Sequence, residues 1–118
     1  EIASCLVGSE MCIETVNKLS SAGSQSTTIK TTADKLFLLS EVEIFGSTSY
    51  SVSGEGMQYA YYKAGNSKVK NVSGSANGWR ERSPLASSAT SFCYVDSNGD
   101  AYSSGASNSS GVAFGFCV

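Results

Sequence analysis

Histidine is absent from the 118 residues, so proton transfer near neutral pH would fall to carboxylates, thiols or phenols. The closest pair of acids is Glu41 and Glu43 in Ser40-Glu41-Val42-Glu43. Two carboxylates in one environment can hold their pKa values apart and divide acid and base roles. Residues i and i+2 of a helix point to different sides, however, and Ser40-x-x-Glu43 is a capping box in which Glu43 already holds a backbone amide. The expectation is therefore structural acids and no catalytic residue. Cys93 and Cys117, each flanked by aromatics, could form a disulfide if their Cα atoms came within about 4.4–6.8 Å. The favoured reading makes both of them small buried hydrophobes. Asp96-Ser97-Asn98-Gly99-Asp100 has acids like those of a calcium loop, but its Gly falls at the fourth place rather than the sixth and no bidentate Glu follows. Without Cys-x-x-Cys or Gly-x-Ser-x-Gly spacing, the sequence predicts no metal, no cofactor and no enzyme.

The elements that must hold these residues can be read along the chain. Val16 and Leu19 at i, i+3, with Gly23 behind them, predict a short amphipathic helix over 14–22. Ser24 to Thr32 reads as a loop or short edge strand, and Leu36-Phe37-Leu38-Leu39 as a fully buried strand. Ser40 should then start a helix of one to two turns that Gly46 ends. In Tyr59-Ala60-Tyr61-Tyr62, strand alternation would set Tyr59 and Tyr61 on one face and Tyr62 on the other. Lys63, Lys68 and Lys70 read as scattered solvated charges. Asn98-Gly99 between Phe92-Cys93-Tyr94-Val95 and Ala101-Tyr102 is a type I′ hairpin signal.

Trp79 is expected to anchor the core, and Pro84 to fix the turn after Ser83. Arg82 should pair internally, with Glu81 or Asp96 as the candidate acids. Beyond the hairpin, Ser103-Ser104-Gly105-Ala106-Ser107-Asn108-Ser109-Ser110-Gly111 is too polar for a core and reads either as a linker or as a recognition surface. In the second reading Tyr102, Ser103, Ser104, Ser107, Asn108 and Ser109, with Leu85, Ser87 and Ser88 beside Pro84, form the binding face. Tyr, Ser, Gly and Asn supply contact area and hydrogen bonds at low entropic cost.

Trp79-Arg80-Glu81-Arg82-Ser83-Pro84, followed by the Asn-Gly hairpin and a terminal Gly-Val-x-x-x-x-Cys strand, resembles an uncharacterised domain family of gut Firmicutes and their phages. In that family Trp-x-x-Arg-Ser-Pro leads into the same terminal strands; the resemblance places Arg82 at the motif's fixed Arg and implies that Arg80 and Glu81, in its variable middle, face a ligand. Lys35 to Gly46 resembles the family's other signature. It is also similar to the Leu-Pro-Thr-Glu-Ala-Glu-Trp-Glu segment of formylglycine-generating-enzyme-like domains, which have a C-type-lectin-like fold. The resemblance spans residues 17–118 and implies an α+β, C-type-lectin-like fold with short helices on a small twisted antiparallel sheet. A copper-dithiolate oxidase would follow from the enzyme family, but its catalytic cysteines lie only a few residues apart, unlike Cys93 and Cys117. The 103–111 stretch resembles the variable region of diversity-generating-retroelement target proteins, which share the lectin-like fold. Ser4-Cys5-Leu6-Val7-Gly8-Ser9-Glu10-Met11-Cys12-Ile13 resembles a translated sequencing adapter, which would make 1–14 a non-native N-terminus and 15–118 the single domain; the alternative is a natural helix with Leu6, Met11, Ile13 and Val16 on its buried side.

A net charge of −2 offers no field for phosphate backbones, so nucleic acid is not an expected partner. No apolar run approaches the ~18 residues that span a bilayer, so membrane insertion is not expected either. The function these observations favour is a non-catalytic recognition module of a phage tail or bacterial surface protein. It would act outside the cell on a cell-surface glycan or protein, and a homotrimer built through a parent protein is compatible with it. The alternatives are a degenerate formylglycine-generating-type enzyme domain and a purely structural virion domain.

Overall fold

The computed structural model describes residues 4–5, 12–19 and 25–116. It opens with strands β1 (Ser4–Cys5), β2 (Cys12–Leu19), β3 (Gln25–Asp34) and β4 (Leu36–Leu38). Two short helices follow, α1 (Glu41–Phe45) and α2 (Ala60–Lys63). The remainder is β5 (Lys70–Val72), β6 (Ser75–Asn77), β7 (Trp79–Pro84), β8 (Ser91–Val95), β9 (Ala101–Gly105), β10 (Gly111–Val112) and β11 (Phe114–Phe116). This is a small α+β architecture of separate sheets with few helical turns. Among the described residues, no helix is long and apolar enough to cross a membrane.

The helix expected over 14–22 is instead β2, which pairs antiparallel with β1 and β3. One i, i+3 repeat is a weak helical signal. β-branched Ile13, Thr15 and Val16 favour an extended backbone, and Thr27, Thr28, Ile29, Thr31 and Thr32 on β3 supply a matching partner. The stretch read as a loop or short edge strand is thus a ten-residue edge strand. Residues 1–3, 6–11 and 20–24 of the two N-terminal expectations lie outside the described residues, as does Cys117.

β7, β8 and β9 form an antiparallel meander, and β10 adds in parallel on the far side of β7. Between Arg80, opposite Tyr94, and Pro84, opposite Phe92, β7 advances four residues while β8 advances two. The extra residues form a bulge at 81–83. Freed from the β8 ladder, the Arg82 amide donates to the Leu39 carbonyl at 2.9 Å, joining β4 to the meander. β4 pairs on its other side with β11. Leu36 at its outer end is exposed rather than buried, because the strand sits in a two-stranded ladder and not at the centre of a sheet.

The core gathers Phe37, Leu39, Ile44, Tyr59, Tyr62, Trp79 and Val95. Trp79 is 1% exposed, and its indole nitrogen donates to the Lys68 carbonyl at 2.8 Å, the anchor expected of it. The glycine before it makes room for a neighbour: a Cβ on Gly78 would lie 1.7 Å from the Tyr94 hydroxyl, so a larger residue would have to displace that phenol. α1 forms as its capping box predicts. Ser40 Oγ accepts from the Glu43 amide, Glu43 returns a carboxylate oxygen to the Ser40 amide at 2.9 Å, and Gly46 closes the turn at φ 75°. The Tyr59 segment is not a strand. It makes a single helical turn docked by its amide on the Glu43 carbonyl, so Tyr59 and Tyr62, three apart, are buried and Tyr61 faces out.

The Asn98-Gly99 hairpin is present with a different turn. Gly99 alone takes a positive φ, 90°, whereas type I′ requires it at both central residues. The Gly99 amide donates to the Asp96 carbonyl and the Asp96 amide to Asp100, the pattern of a type I turn followed by a glycine bulge. The Asp96 carboxylate accepts from the Asn98 and Asp100 amides. Those bonds, with that to Asp100 first, hold it below the usual carboxylate range.

Candidate functional site

The loops that the sequence singles out rest on a layer of buried polar groups. Glu41, in the first turn of α1, is 1% exposed, and its two carboxylate oxygens accept from the amides of Ser49, Tyr50 and Ser51 and from the Ser51 hydroxyl. A carboxylate that collects several amides fixes the backbone around it. Glu43 points elsewhere, as i, i+2 spacing requires, and its two oxygens take a bidentate pair from Arg82 at 2.8 and 2.9 Å. The same guanidinium donates to the Leu38 and Glu55 carbonyls. Arg82 does pair internally, but with Glu43 rather than Glu81 or Asp96, because the bulge turns it away from the hairpin and toward α1. Ser83 accepts from the Glu41 amide and donates to Glu55 Oε2 at 2.5 Å.

Glu81 corrects a second expectation. It does not face solvent: it is 1% exposed, and neither carboxylate oxygen has a hydrogen-bond partner. Burial, then the charges of Glu41 and Glu55, push its carboxyl up to about 9, against an opposing pull from Arg82. It is therefore a neutral acid at pH 7. Cys93, directly across the bulge, is a free buried thiol whose pKa rises from burial and then from the same acids. Strand alternation carries it inward: Trp79, Glu81 and Ser83 lie two apart and share the buried face of β7, so the sequence signal was the i, i+2 spacing from the anchoring Trp79.

Above this layer, Arg80 also departs from its expected role. Its guanidinium donates to the carbonyls of Ser104, Gly105 and Asn108 at 3.1, 3.2 and 2.8 Å and to the Ser110 hydroxyl at 3.1 Å. It is a clamp on the serine-rich loop more than a free ligand contact. Ser103 and Ser104 belong to β9, not to that loop, because β8 extends their ladder to Ser91 opposite Gly105. Past Gly105 the chain turns. The Asn108 amide donates to Gly105, the Ala106 amide to Thr90, and Asn108 Nδ2 to Ser104 Oγ.

That bond to Thr90 joins the two stretches the sequence singles out. Leu85 to Ser88 make a turn closed by Ser88 donating to Leu85, and the Ala86 amide donates to the Tyr50 carbonyl. Ser87, Ser107, Asn108 and Ser109 are exposed, while Leu85, Ser88, Ser103 and Ser104 are half-buried at their feet. Tyr102 is 59% exposed and meets the Tyr50 ring at 6.5 Å. Tyr50 was not legible as a site residue, since Ser47-Thr48-Ser49-Tyr50-Ser51 reads as a featureless loop. A pocket of 390 Å³ lies beside the clamp, lined by Leu38, Arg80, Glu81, Arg82, Phe92 and Ala106. The face thus offers two phenols, short hydroxyls and an amide on a backbone already fixed from below.

A family model described as a domain of unknown function (DUF6273) matches residues 1–118. The chain belongs to that family. No curated protein and no solved structure matches it.

Proposed function

We propose that this DUF6273 chain is a non-catalytic recognition module with a C-type-lectin-like arrangement, one that binds a cell-surface glycan or protein through the face around Tyr50, Tyr102 and Asn108. The observation that carries the reading is the Arg80 clamp. One guanidinium ties the Asn108 carbonyl and the Ser110 hydroxyl of the loop to the Ser104 and Gly105 carbonyls at the end of β9, which orders the loop before any ligand arrives. The entropy of ordering it is then not charged to binding. Serine and asparagine side chains on a prefolded turn, with tyrosine rings beside them, are the composition of adaptable polar recognition. Their neutral chemistry suits the hydroxyls of a glycan or the backbone of a protein loop. In this reading the module works outside the cell, on a bacterial surface or as part of a virion, and trimerises through a parent protein.

Glycan-array and whole-cell binding test it. Tyr102→Ala and Asn108→Ala, with unchanged circular dichroism, are expected to remove retention, and Arg80→Gln to weaken it by disordering the loop. Unchanged cell binding by all three variants would assign the face to a structural role.

A further inference from the structure

A second pocket, of 340 Å³, opens between α2, β4 and β11 and shares no residue with the face around Tyr102. Its floor is built by close approach. A Cβ on Gly115 would lie 2.6 Å from the Phe37 ring, so only glycine lets the end of that ring approach β11 this closely. Its walls are aromatic and open to water: Tyr61, Phe114 and Phe116 are 55, 53 and 59% exposed. Tyr61 stands edge-on to buried Tyr62, with centroids 5.1 Å apart and planes at 83°. Scattered exposed apolar side chains are ordinary, but several large ones on one concavity mark a binding site. The volume falls within the range of about 300–1,000 Å³ typical of ligand pockets.

The lining also selects a chemistry. Aromatic faces are negative at the centre and attract weakly positive hydrogens, such as the C–H groups on one side of a sugar ring. The Tyr61 phenol adds a donor and an acceptor at the rim, where ring hydroxyls would project. Lys70 is the one charged side chain among the described lining residues, so none of those offers a carboxylate to offset it. Its ammonium stands 5.9 Å from the Trp79 ring centroid, and the residue is half-buried. A purely apolar occupant would cover this cation without using it, whereas a carboxylate would pair with it. From these features we infer that the groove binds an acidic saccharide, with a sugar ring seated on Tyr61 and Phe116 and its carboxylate on Lys70.

The test uses the full chain and a panel of oligosaccharides containing hexuronic acids, each matched to its neutral hexose counterpart, read by array retention and then by calorimetric titration. The wild type should favour acidic over neutral members by roughly tenfold or more, a difference that one charge-assisted contact supplies. Lys70→Met should erase that preference, and Lys70→Arg should restore most of it. Phe116→Ser should lower affinity for both classes, while Tyr102→Ala should leave the groove unaffected. Near-UV circular dichroism checks that each variant is folded. The inference is overturned if no acidic member is retained, or if Lys70→Met keeps the preference. It is equally overturned if Phe116→Ser dissociates a dimer in a chain that binds no saccharide, which would make a second copy the occupant. Because Tyr102→Ala and Phe116→Ser act on different surfaces, failure here is distinguishable from failure of the recognition face.

Discussion

Replacing Glu81 by Gln should change how stability depends on pH more than stability itself. In the folded chain the Glu81 carboxyl is pushed up to about 9 from an ordinary 4.5. Between those limits the native state keeps a proton that the unfolded state has released, so stability falls as pH rises, and it is fully present only below about 4.5. At about 1.4 kcal/mol per unit, this one group removes about 4 kcal/mol between pH 5 and pH 8. Glutamine cannot titrate, so the variant should lack that component, while its buried amide carries a cost of about 1–3 kcal/mol that is the same at every pH. The curves should therefore cross, with the variant equal or weaker at pH 5 and clearly more stable at pH 8. Urea unfolding at several pH values, with m-values compared to exclude a change in the denatured state, reads both slopes. Parallel curves for the two proteins would refute the reasoning, because they would mean that Glu81 is ionised in the fold or solvated by water.

Other consequences follow from the same layer and its surroundings. Arg82→Lys should cost about 1–3 kcal/mol in chemical denaturation, since an ammonium keeps the charge but cannot reproduce the bidentate pair to Glu43 and leaves a buried carboxylate half-satisfied. Gly78→Ala should lower the melting temperature by the cost of displacing the Tyr94 phenol, and the second change Tyr94→Ala should recover part of the loss. The Cys93 thiol, 1% exposed with its pKa raised, should resist iodoacetamide at pH 8 in the native state and react on denaturation, as mass spectrometry of its peptide would show.

Short-range chemistry was legible from the sequence. Ser40, Glu43 and Gly46 define α1 because a capping box and a left-handed stop need only residues within one turn. Trp79 as anchor, the Asn98-Gly99 hairpin and an internally paired Arg82 were legible for a related reason: bulk, turn preference and charge each favour one outcome wherever the chain goes. Other features depended on partners remote in sequence. β2 is a strand because β3 offers it a ladder, and a single i, i+3 repeat could not outweigh that ladder. Arg82 found Glu43, 39 residues away, since the bulge carries β7 toward α1. Glu81 looked like a surface acid between two arginines, although its i, i+2 spacing from Trp79 already set it on the buried face of β7. Arg80 became a clamp once β9 turned back over it. What the sequence by itself determined is where the chain turns, caps and anchors. The tertiary structure alone decided how the buried charges pair, because pairing depends on the neighbours that the fold brings to a residue.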